Sequence, residues 1–235
     1  MKKVEKEKEK YYNALKAVDK VFGKHKVQYW LDYGTLLGAI REGGIIPWDF
    51  DVDLGIWLKD VPKICTLRKD FRELGYDLYI NPNHCSLQLR KYDETASKRD
   101  RIFNTRKHLL CLLIRTKMDG YAVRLHFVPI VRSLAFFNIR KTDNWDWFVG
   151  LMWKLVIRFK LFEDLWVSSP MSNIGNFTKV QFYDGMFPSP EKPKEYLRFM
   201  FGDWETPKKG STDEVGRRRM NLAAVKREFE KKKSS

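Results

Sequence analysis

Three aspartates at every second position constrain this chain more than any other feature. They lie in the run Trp-Asp-Phe-Asp-Val-Asp-Leu-Gly-Ile, residues 48–56. Side chains two positions apart in a β-strand point to the same face. Asp51 and Asp53 therefore project together, with Asp49 near the start of the strand. The apolar residues that alternate with them face a core on the other side: Val52, Leu54 and Ile56.

Carboxylates this close repel one another unless a cation lies between them. Hard oxygen ligands on a rigid strand suit Mg²⁺ or Mn²⁺, ions that commonly hold phosphate groups. We therefore predict a metal site formed by Asp49, Asp51 and Asp53. The alternative is a surface strand with solvated acids. A calcium loop of the EF-hand type fits worse, because Leu54 and Asp60 stand where such a loop needs Gly and Glu.

A glycine-containing segment, Gly-Thr-Leu-Leu-Gly at 34–38, precedes the acids. Thr35 is predicted to N-cap a short helix that runs to Ile40. A helix N-terminus presents backbone N–H groups and a positive dipole end to a phosphate, and glycine allows the ligand to approach closely. The predicted phosphate-binding set is Gly34, Thr35, Gly38 and Arg41.

Composition limits the class of protein without choosing a partner. The 235 residues suit one domain or two small ones, and 43% apolar residues are enough for a sizeable core. The net charge of +15 favours a polyanion, which could be nucleic acid, an anionic membrane surface or a phosphorylated substrate. We expect no secretory signal peptide and no membrane span, because no stretch reaches ~20 apolar residues.

The three cysteines, Cys65, Cys85 and Cys111, are widely spaced and predict no disulfide framework. A zinc site is an open alternative, although partly buried thiols and imidazoles are favoured. Its ligands would be His84, Cys85, His108 and Cys111.

Hydrophobic periodicity and turn residues predict the order of elements. One helix is predicted at 3–24, and a second at 60–74, capped by Asp60 and stopped by Gly75. Strands are predicted at 27–33, 51–57, 76–80, 85–92, 109–115 and 121–131, with a hairpin turn at 117–120. Loops are predicted at 93–107 and 168–176, followed by a mixed segment at 177–207.

An apolar stripe with steps of 3 and 4 predicts one helix between 145 and 166. Core packing is the favoured role, and an interfacial helix at a membrane headgroup region is the alternative. The stripe consists of Trp145, Phe148, Met152, Leu155, Phe159, Phe162 and Trp166.

The run from Tyr29 to Ile56 resembles the signature of the LicD family, which includes the fukutin and fukutin-related proteins. The fukutin-related branch looks nearest. A second stretch is similar to the closing pattern of that family, so the resemblance covers about 27–207. This stretch comprises Phe182–Pro188, Tyr196-Leu197, Phe201–Trp204 and Pro207.

The resemblance implies an α+β fold with a DNA polymerase β-like nucleotidyltransferase core, a mixed sheet and added helices in the C-terminal half. We expect a single domain over 1–235. Its parts would be an N-terminal helix (1–26), a catalytic core (27–131), a helical closing part (132–225) and a basic tail (226–235).

The resemblance also implies a reaction: transfer of a phospho-alcohol, such as phosphocholine or ribitol phosphate, from a CDP-linked donor to a glycan hydroxyl. Asp51 and Asp53 would hold Mg²⁺ or Mn²⁺. His126 stands where the family usually has a third acid. It would serve as general base or metal ligand, or mark a chain that has lost activity. Trp48 is expected to pack beside the metal strand, with stacking on a base as the alternative, and Asp203 to have a structural or acceptor-binding role.

Two other functions stay open at this point: a nucleotidyltransferase acting on RNA, and a non-catalytic relative that binds nucleotide or glycan. The closing pattern belongs to the glycan branch, which disfavours nucleic acid as a partner. Basic residues at 217–219 and in the tail are mostly a solvated face, with contact to an anionic membrane or a phosphorylated acceptor glycan as the alternative. The resemblance leaves both the Golgi lumen and the cytoplasmic side of a membrane open as locations.

Overall fold

The computed structural model describes residues 2–81, 86–92, 108–127, 146–207 and 227, without the side chains at 2–7, 126–127 and 162–166. Several predictions fall outside the described residues. They concern the loop 93–107, the strand end 128–131, Trp145, the basic residues 217–219 and nearly all of the tail 226–235.

A long amphipathic helix, α1 (Lys2–His25), confirms the first helix prediction. Its inner face is fully buried and packs against the sheet, since apolar residues recur every three or four positions. Lys24 and His25 lie in its last turn, where cations complement the helix dipole. The buried face consists of Tyr11, Leu15, Val18 and Phe22.

Seven strands form one mixed sheet, which confirms the α+β class with a mixed sheet. Five of them follow the order β1-β2-β5-β4-β3, and β6 pairs with both β5 and β7. Strands β2 and β5 are parallel, and the other described pairs are antiparallel. The strands are β1 (Tyr29–Leu31), β2 (Val52–Trp57), β3 (Tyr76–Asn81), β4 (Ser86–Lys91), β5 (Leu110–Met118), β6 (Tyr121–Phe127) and β7 (Phe162–Pro170).

The two faces of this sheet differ in chemistry because its strands alternate. One face is apolar and belongs to the main core, as predicted for Val52, Leu54 and Ile56. The other face carries buried polar side chains from β4, β5 and β6. The β5–β6 turn has positive φ at Asp119 and Gly120, which confirms the hairpin predicted there. The buried polar side chains are Ser86, Gln88, Arg90, Arg115 and Arg124.

The predicted continuous helix 60–74 is wrong. The segment is broken into a 3₁₀ turn (Leu58–Asp60), α3 (Val61–Ile64), a second 3₁₀ turn (Cys65–Leu67) and α4 (Arg68–Glu73). Asp60 makes no side-chain cap. Pro62 has no N–H to donate to the residue four positions earlier, so α3 does not continue the 3₁₀ turn before it. Gly75, with φ of +81°, ends the segment as predicted.

The C-terminal half contains more strand than the sequence predicted. Helix α5 (Asp146–Arg158) ends well before 166, because Lys160 adopts a φ of +49° and the chain turns into β7. Phe162 and Trp166 therefore belong to a strand, and the predicted loop 168–176 holds the end of β7 and helix α6 (Met171–Ile174). The mixed segment forms the hairpin β8 (Thr178–Phe182) and β9 (Gly185–Ser189), then helix α7 (Pro193–Phe201).

The core role predicted for the apolar stripe is wrong for two of its members. Helix α5 buries Val149, Trp153 and Val156, whereas Leu155 and Phe159 are exposed. Of the helices that the described residues form, none is both long and apolar enough to span a bilayer.

Candidate active site

A row of side chains crosses the polar face of the sheet at the start of β2. The strand register places Asp53 opposite Cys111 on β5, and Cys111 opposite Gln88 on β4. The Gln88 amide donates to Cys111 Sγ over 3.7 Å, and Arg90 donates to Gln88 Oε1 over 2.9 Å. The hydrogen bonds therefore run from Arg90 through Gln88 to Cys111, and the register places Asp53 beside Cys111.

Asp51 lies immediately before β2 and shares this end of the sheet with Asp53. Burial raises the pKa of the Cys111 thiol well above its ordinary value, and the charges of Asp53 and Asp51 raise it further. Both carboxylates therefore lie near enough to this thiol for their charges to act on it. His108 Nε2 lies 3.8 Å from Asp51 Oδ2, and both side chains are partly exposed.

Helix α2 (Tyr33–Arg41) begins beside the acids, but not as predicted. Asp32 caps it, because its carboxylate accepts from the Tyr33 N–H over 2.9 Å. Thr35, predicted as the cap, lies within the first turn instead. Its Oγ1 accepts from the Asp53 N–H over 2.8 Å and so ties the helix start to the acidic strand.

Gly34 leaves room for Asp49 at the start of α2. A Cβ at Gly34 would lie 2.5 Å from Asp49 Oδ2, so only glycine fits without displacing that carboxylate. Asp49 also accepts from the Phe50 N–H through its other oxygen. Tyr33, the first helical residue, has a φ of +44°, a strained value for a non-glycine residue.

A fully buried polar network supports this helix start. Arg115 Nη2 donates to Asp32 Oδ2 over 2.7 Å, and the Tyr196 hydroxyl donates to Asp32 Oδ1 over 2.5 Å. Burial alone would lower the pKa of Arg115, but neighbouring Tyr33 and Asp32 hold it above its ordinary value. Burial and the Asp32 charge raise the pKa of Tyr196 well above its ordinary value.

The structure does not bring Gly38 and Arg41 to the helix start. Arg41 ends α2, about 10 Å along the axis from Gly34, and its guanidinium donates to Glu42 Oε1 and to the Trp204 carbonyl. A Cβ at Gly38 would lie 2.4 Å from the Gly44 carbonyl oxygen, so this glycine permits close packing of a turn.

The remaining predicted residues are spread more widely. Trp48 is partly buried and packs against the core. Asp203 is exposed just after α7, next to buried Trp204. The backbone of His126 lies in β6 opposite Glu163 of β7, and its side chain is outside the described part.

Sequence reasoning missed several polar residues near the acids, although a signal was present. Strand β4 reads Ser-Leu-Gln-Leu-Arg-Lys, so polar residues occupy every second position of a buried strand. Such alternation normally marks a solvated face, but here Gln88 and Arg90 are buried. Arg124 lies opposite Arg115, a pairing that only the strand register reveals. Its charge partly offsets the rise in the pKa of the Cys111 thiol.

No group of three or more His, Cys, Asp or Glu side chains converges on a metal position among the described residues. Of the alternative zinc ligands, His84 and Cys85 lie outside those residues. His108 lies beside Asp51, and Cys111 is buried in the sheet.

Comparison with known proteins adds a family match. The family profile described as "LicD/FKTN/FKRP, nucleotidyltransferase domain" matches residues 26–192. This range holds every element of the site except Tyr196, Asp203 and the segment around them.

Individual relatives match over shorter stretches. An uncharacterised protein of Rickettsia typhi is 39% identical over 70 residues, which are 30% of this chain and 23% of the relative. Human ribitol 5-phosphate transferase FKRP is 64% identical over 42 residues, 18% of this chain and 8% of the relative. The lipopolysaccharide cholinephosphotransferase LicD of Haemophilus influenzae is 55% identical over 31 residues, 13% of this chain and 12% of the relative. The matched stretches thus span less than a quarter of these relatives.

Proposed function

The chain belongs to the LicD/FKTN/FKRP family, and on that premise we propose that it is a metal-dependent phosphotransferase. It would move a phospho-alcohol, of the phosphocholine or ribitol phosphate kind, from a CDP-linked donor to a glycan hydroxyl. One observation carries the proposal: the Thr35–Asp53 hydrogen bond joins a helix N-terminus to a strand with two neighbouring carboxylates. The names of the relatives, which include ribitol-phosphate and choline-phosphate transferases, support the class of group transferred.

The donor set fits a hard divalent cation. Asp51 and Asp53 would hold Mg²⁺ or Mn²⁺, and Asp49 is a further candidate from the α2 side. Mg²⁺ is usually bound by one or two carboxylates together with substrate phosphates, so two protein ligands suffice. The bound ion would neutralise charge on the donor diphosphate as the bond to CMP breaks.

The start of α2 would bind the phosphate oxygens. Its backbone N–H groups and dipole favour an anion, and Thr35 holds the helix against Asp53. The Asp49 carboxylate fills the space beside Gly34, so this glycine makes room for that carboxylate. Buried Arg90 and Arg124, on the same sheet face, add positive charge. The protein's contribution is mainly position and electrostatics, because phosphoryl transfer requires little covalent work from it.

His126 is the proposed general base for the acceptor hydroxyl. Its unperturbed pKa of about 6.5 suits that role near neutral pH. We expect His126→Asp to keep or raise the rate if a carboxylate can serve there. A large loss of rate would instead support a specialised imidazole base. Turnover by the wild-type protein would rule out a degenerate site.

Calorimetric titration of CDP, with and without Mg²⁺ or Mn²⁺, tests the metal and the nucleotide together. Loss of an outer-shell partner alone costs about 10–100-fold in metal affinity, so Asp53→Asn should weaken metal-dependent CDP binding by at least as much. Asp119→Asn is the matched control, because it makes the same exchange in the β5–β6 turn, where Asn tolerates a positive φ.

The outcomes separate the candidate functions. Metal-dependent binding that Asp53→Asn abolishes, with an unchanged melting temperature, supports the proposal and justifies a turnover screen of CDP-alcohols with glycan acceptors. If CDP does not bind with either metal, the transferase proposal fails and the chain is better described as a non-catalytic relative.

A further inference from the structure

An exposed apolar ridge runs along helix α5 into the turn that follows it. Its four members recur at intervals of four residues, so each lies about 40° around the axis from the last. Their exposed fractions are unusually high for large apolar residues in a folded domain. They are Trp147 (63%), Leu151 (43%), Leu155 (39%) and Phe159 (67%).

The opposite side of α5 already packs into the core, so the exposed ridge is a separate face of the helix. Val149, Trp153 and Val156 are buried there. Gly150 lies against α3, where a Cβ would come within 2.9 Å of the Pro62 carbonyl oxygen. This close approach places the segment from Lys59 to Lys63 beside the ridge.

Positive charge borders the ridge on the side of α3. A groove between α3 and α5 is lined by Lys59, Lys63, Lys154 and Arg158, and its described lining includes no carboxylate. Lys160 follows in the turn and is also exposed. Cations from two elements therefore border one strip of aromatic and aliphatic side chains.

We propose that this ridge lies in the headgroup region of an anionic membrane. Trp, Phe and Leu on one face with Lys and Arg beside them are the composition of helices that lie in the interface plane. A protein partner fits less well, because lysine is depleted in protein–protein interfaces. The net charge of +15 strengthens attraction to an anionic leaflet.

Sedimentation with lipid vesicles tests this contact. The vesicles would contain phosphatidylcholine alone, or with about 30 mol% phosphatidylserine as the anionic lipid. One variant combines Trp147→Ser, Leu151→Ser and Phe159→Ser, and a second combines Lys59→Glu and Lys63→Glu. The controls are two single substitutions at exposed positions on the β8–β9 hairpin: Met186→Ser, which also replaces a large apolar residue by serine, and Lys179→Glu, which makes the same charge reversal.

We expect the wild-type protein and both controls to bind the anionic vesicles, more weakly as salt is added. Each ridge or charge variant should lower the partition by about tenfold or more. All substituted residues are exposed, so the melting temperature should stay constant. Metal-dependent CDP binding should also be unchanged, which separates this test from that of the transferase.

Two results would overturn the proposal. The first is equal vesicle binding by wild type and the triple ridge variant. The second is a wild-type protein that self-associates without lipid while the ridge variant is monomeric, since a second copy of the chain would then cover the ridge.

Discussion

The contribution of the Tyr196–Asp32 hydrogen bond to the free energy of unfolding measures how strongly the buried network stabilises the start of α2. Both side chains are completely buried, and the phenol donates to the carboxylate over 2.5 Å. Tyr196→Phe removes only the hydroxyl, so the ring packing stays. Asp32 keeps its bonds from Arg115 and from the Tyr33 N–H.

A hydrogen bond to a charged group contributes about 1.5–3 kcal/mol. We therefore expect Tyr196→Phe to lower the free energy of unfolding by about 2 kcal/mol. At about 2–4 °C per kcal/mol for a chain of this size, the melting temperature should fall by about 4–8 °C. Arg115→Met should cost more, about 3–5 kcal/mol, because it leaves the Asp32 charge buried without its ion partner.

Thermal and urea unfolding monitored by circular dichroism give these values. Tyr183→Phe is the matched control, since it also deletes one hydroxyl. The Tyr183 hydroxyl accepts from the Ile45 N–H over 3.1 Å in a partly buried position. A neutral bond of this kind contributes about 0.5–1.5 kcal/mol. If Tyr196→Phe costs no more than Tyr183→Phe, the buried network does not stabilise the helix start as argued.

Two further predictions concern packing and pH. A Cβ at Gly23 in α1 would meet no atom within 4 Å, so Gly23→Ala should raise the free energy of unfolding by about 0.5–1 kcal/mol. A Cβ at Gly38 would be crowded by the Gly44 carbonyl, so Gly38→Ala should lower it by about 1–3 kcal/mol. Equal urea midpoints for the two variants would contradict this. Burial and the hydrogen bond to Asp184 raise the pKa of Tyr12 to about 12. The unfolded chain gives up this proton near pH 10. The contribution of Tyr12 to stability is therefore complete below about pH 10 and is lost as the pH rises to about 12. A Tyr12→Phe variant should show a shallower fall of melting temperature over that window, and parallel curves would refute the assignment.

Sequence reasoning predicted the parts of the fold that depend on local patterns. The burial of Val52, Leu54 and Ile56, the α1 stripe and the β5–β6 turn all follow from periodicity or turn chemistry, and the structure confirms them. The boundaries of α5 do not follow from such patterns. Residues 162–170 join the sheet through pairing with β6, a long-range contact that local periodicity does not encode.

Local sequence patterns also do not predict which polar contacts connect the elements of the candidate site. Asp51 and Asp53 stand out in the sequence because acids that alternate with apolar residues are unusual, and the charges of both act on the Cys111 thiol. Thr35 was expected as a cap for its own helix, but its hydroxyl bonds to another element, while Asp32 caps. Both residue types cap helices well, so only the tertiary partner decides between them.

The same contacts connect two distant stretches of the sequence, the one around helix α2 and strand β2 and the one around Tyr196 and Trp204. Tyr196 in the closing segment bonds to Asp32, which caps α2, and Thr35 on α2 bonds to Asp53. The Trp204 carbonyl accepts from Arg41 at the other end of that helix. The closing segment therefore holds α2 at both ends, and α2 in turn holds the acidic strand. If the chain binds CDP as proposed, calorimetry should show weaker binding by Tyr196→Phe, although Tyr196 bonds to the helix cap Asp32 and is not itself a proposed ligand of the nucleotide. Gly38→Ala, which acts on the middle of α2 and leaves the cap intact, should weaken CDP binding less at a similar loss of stability.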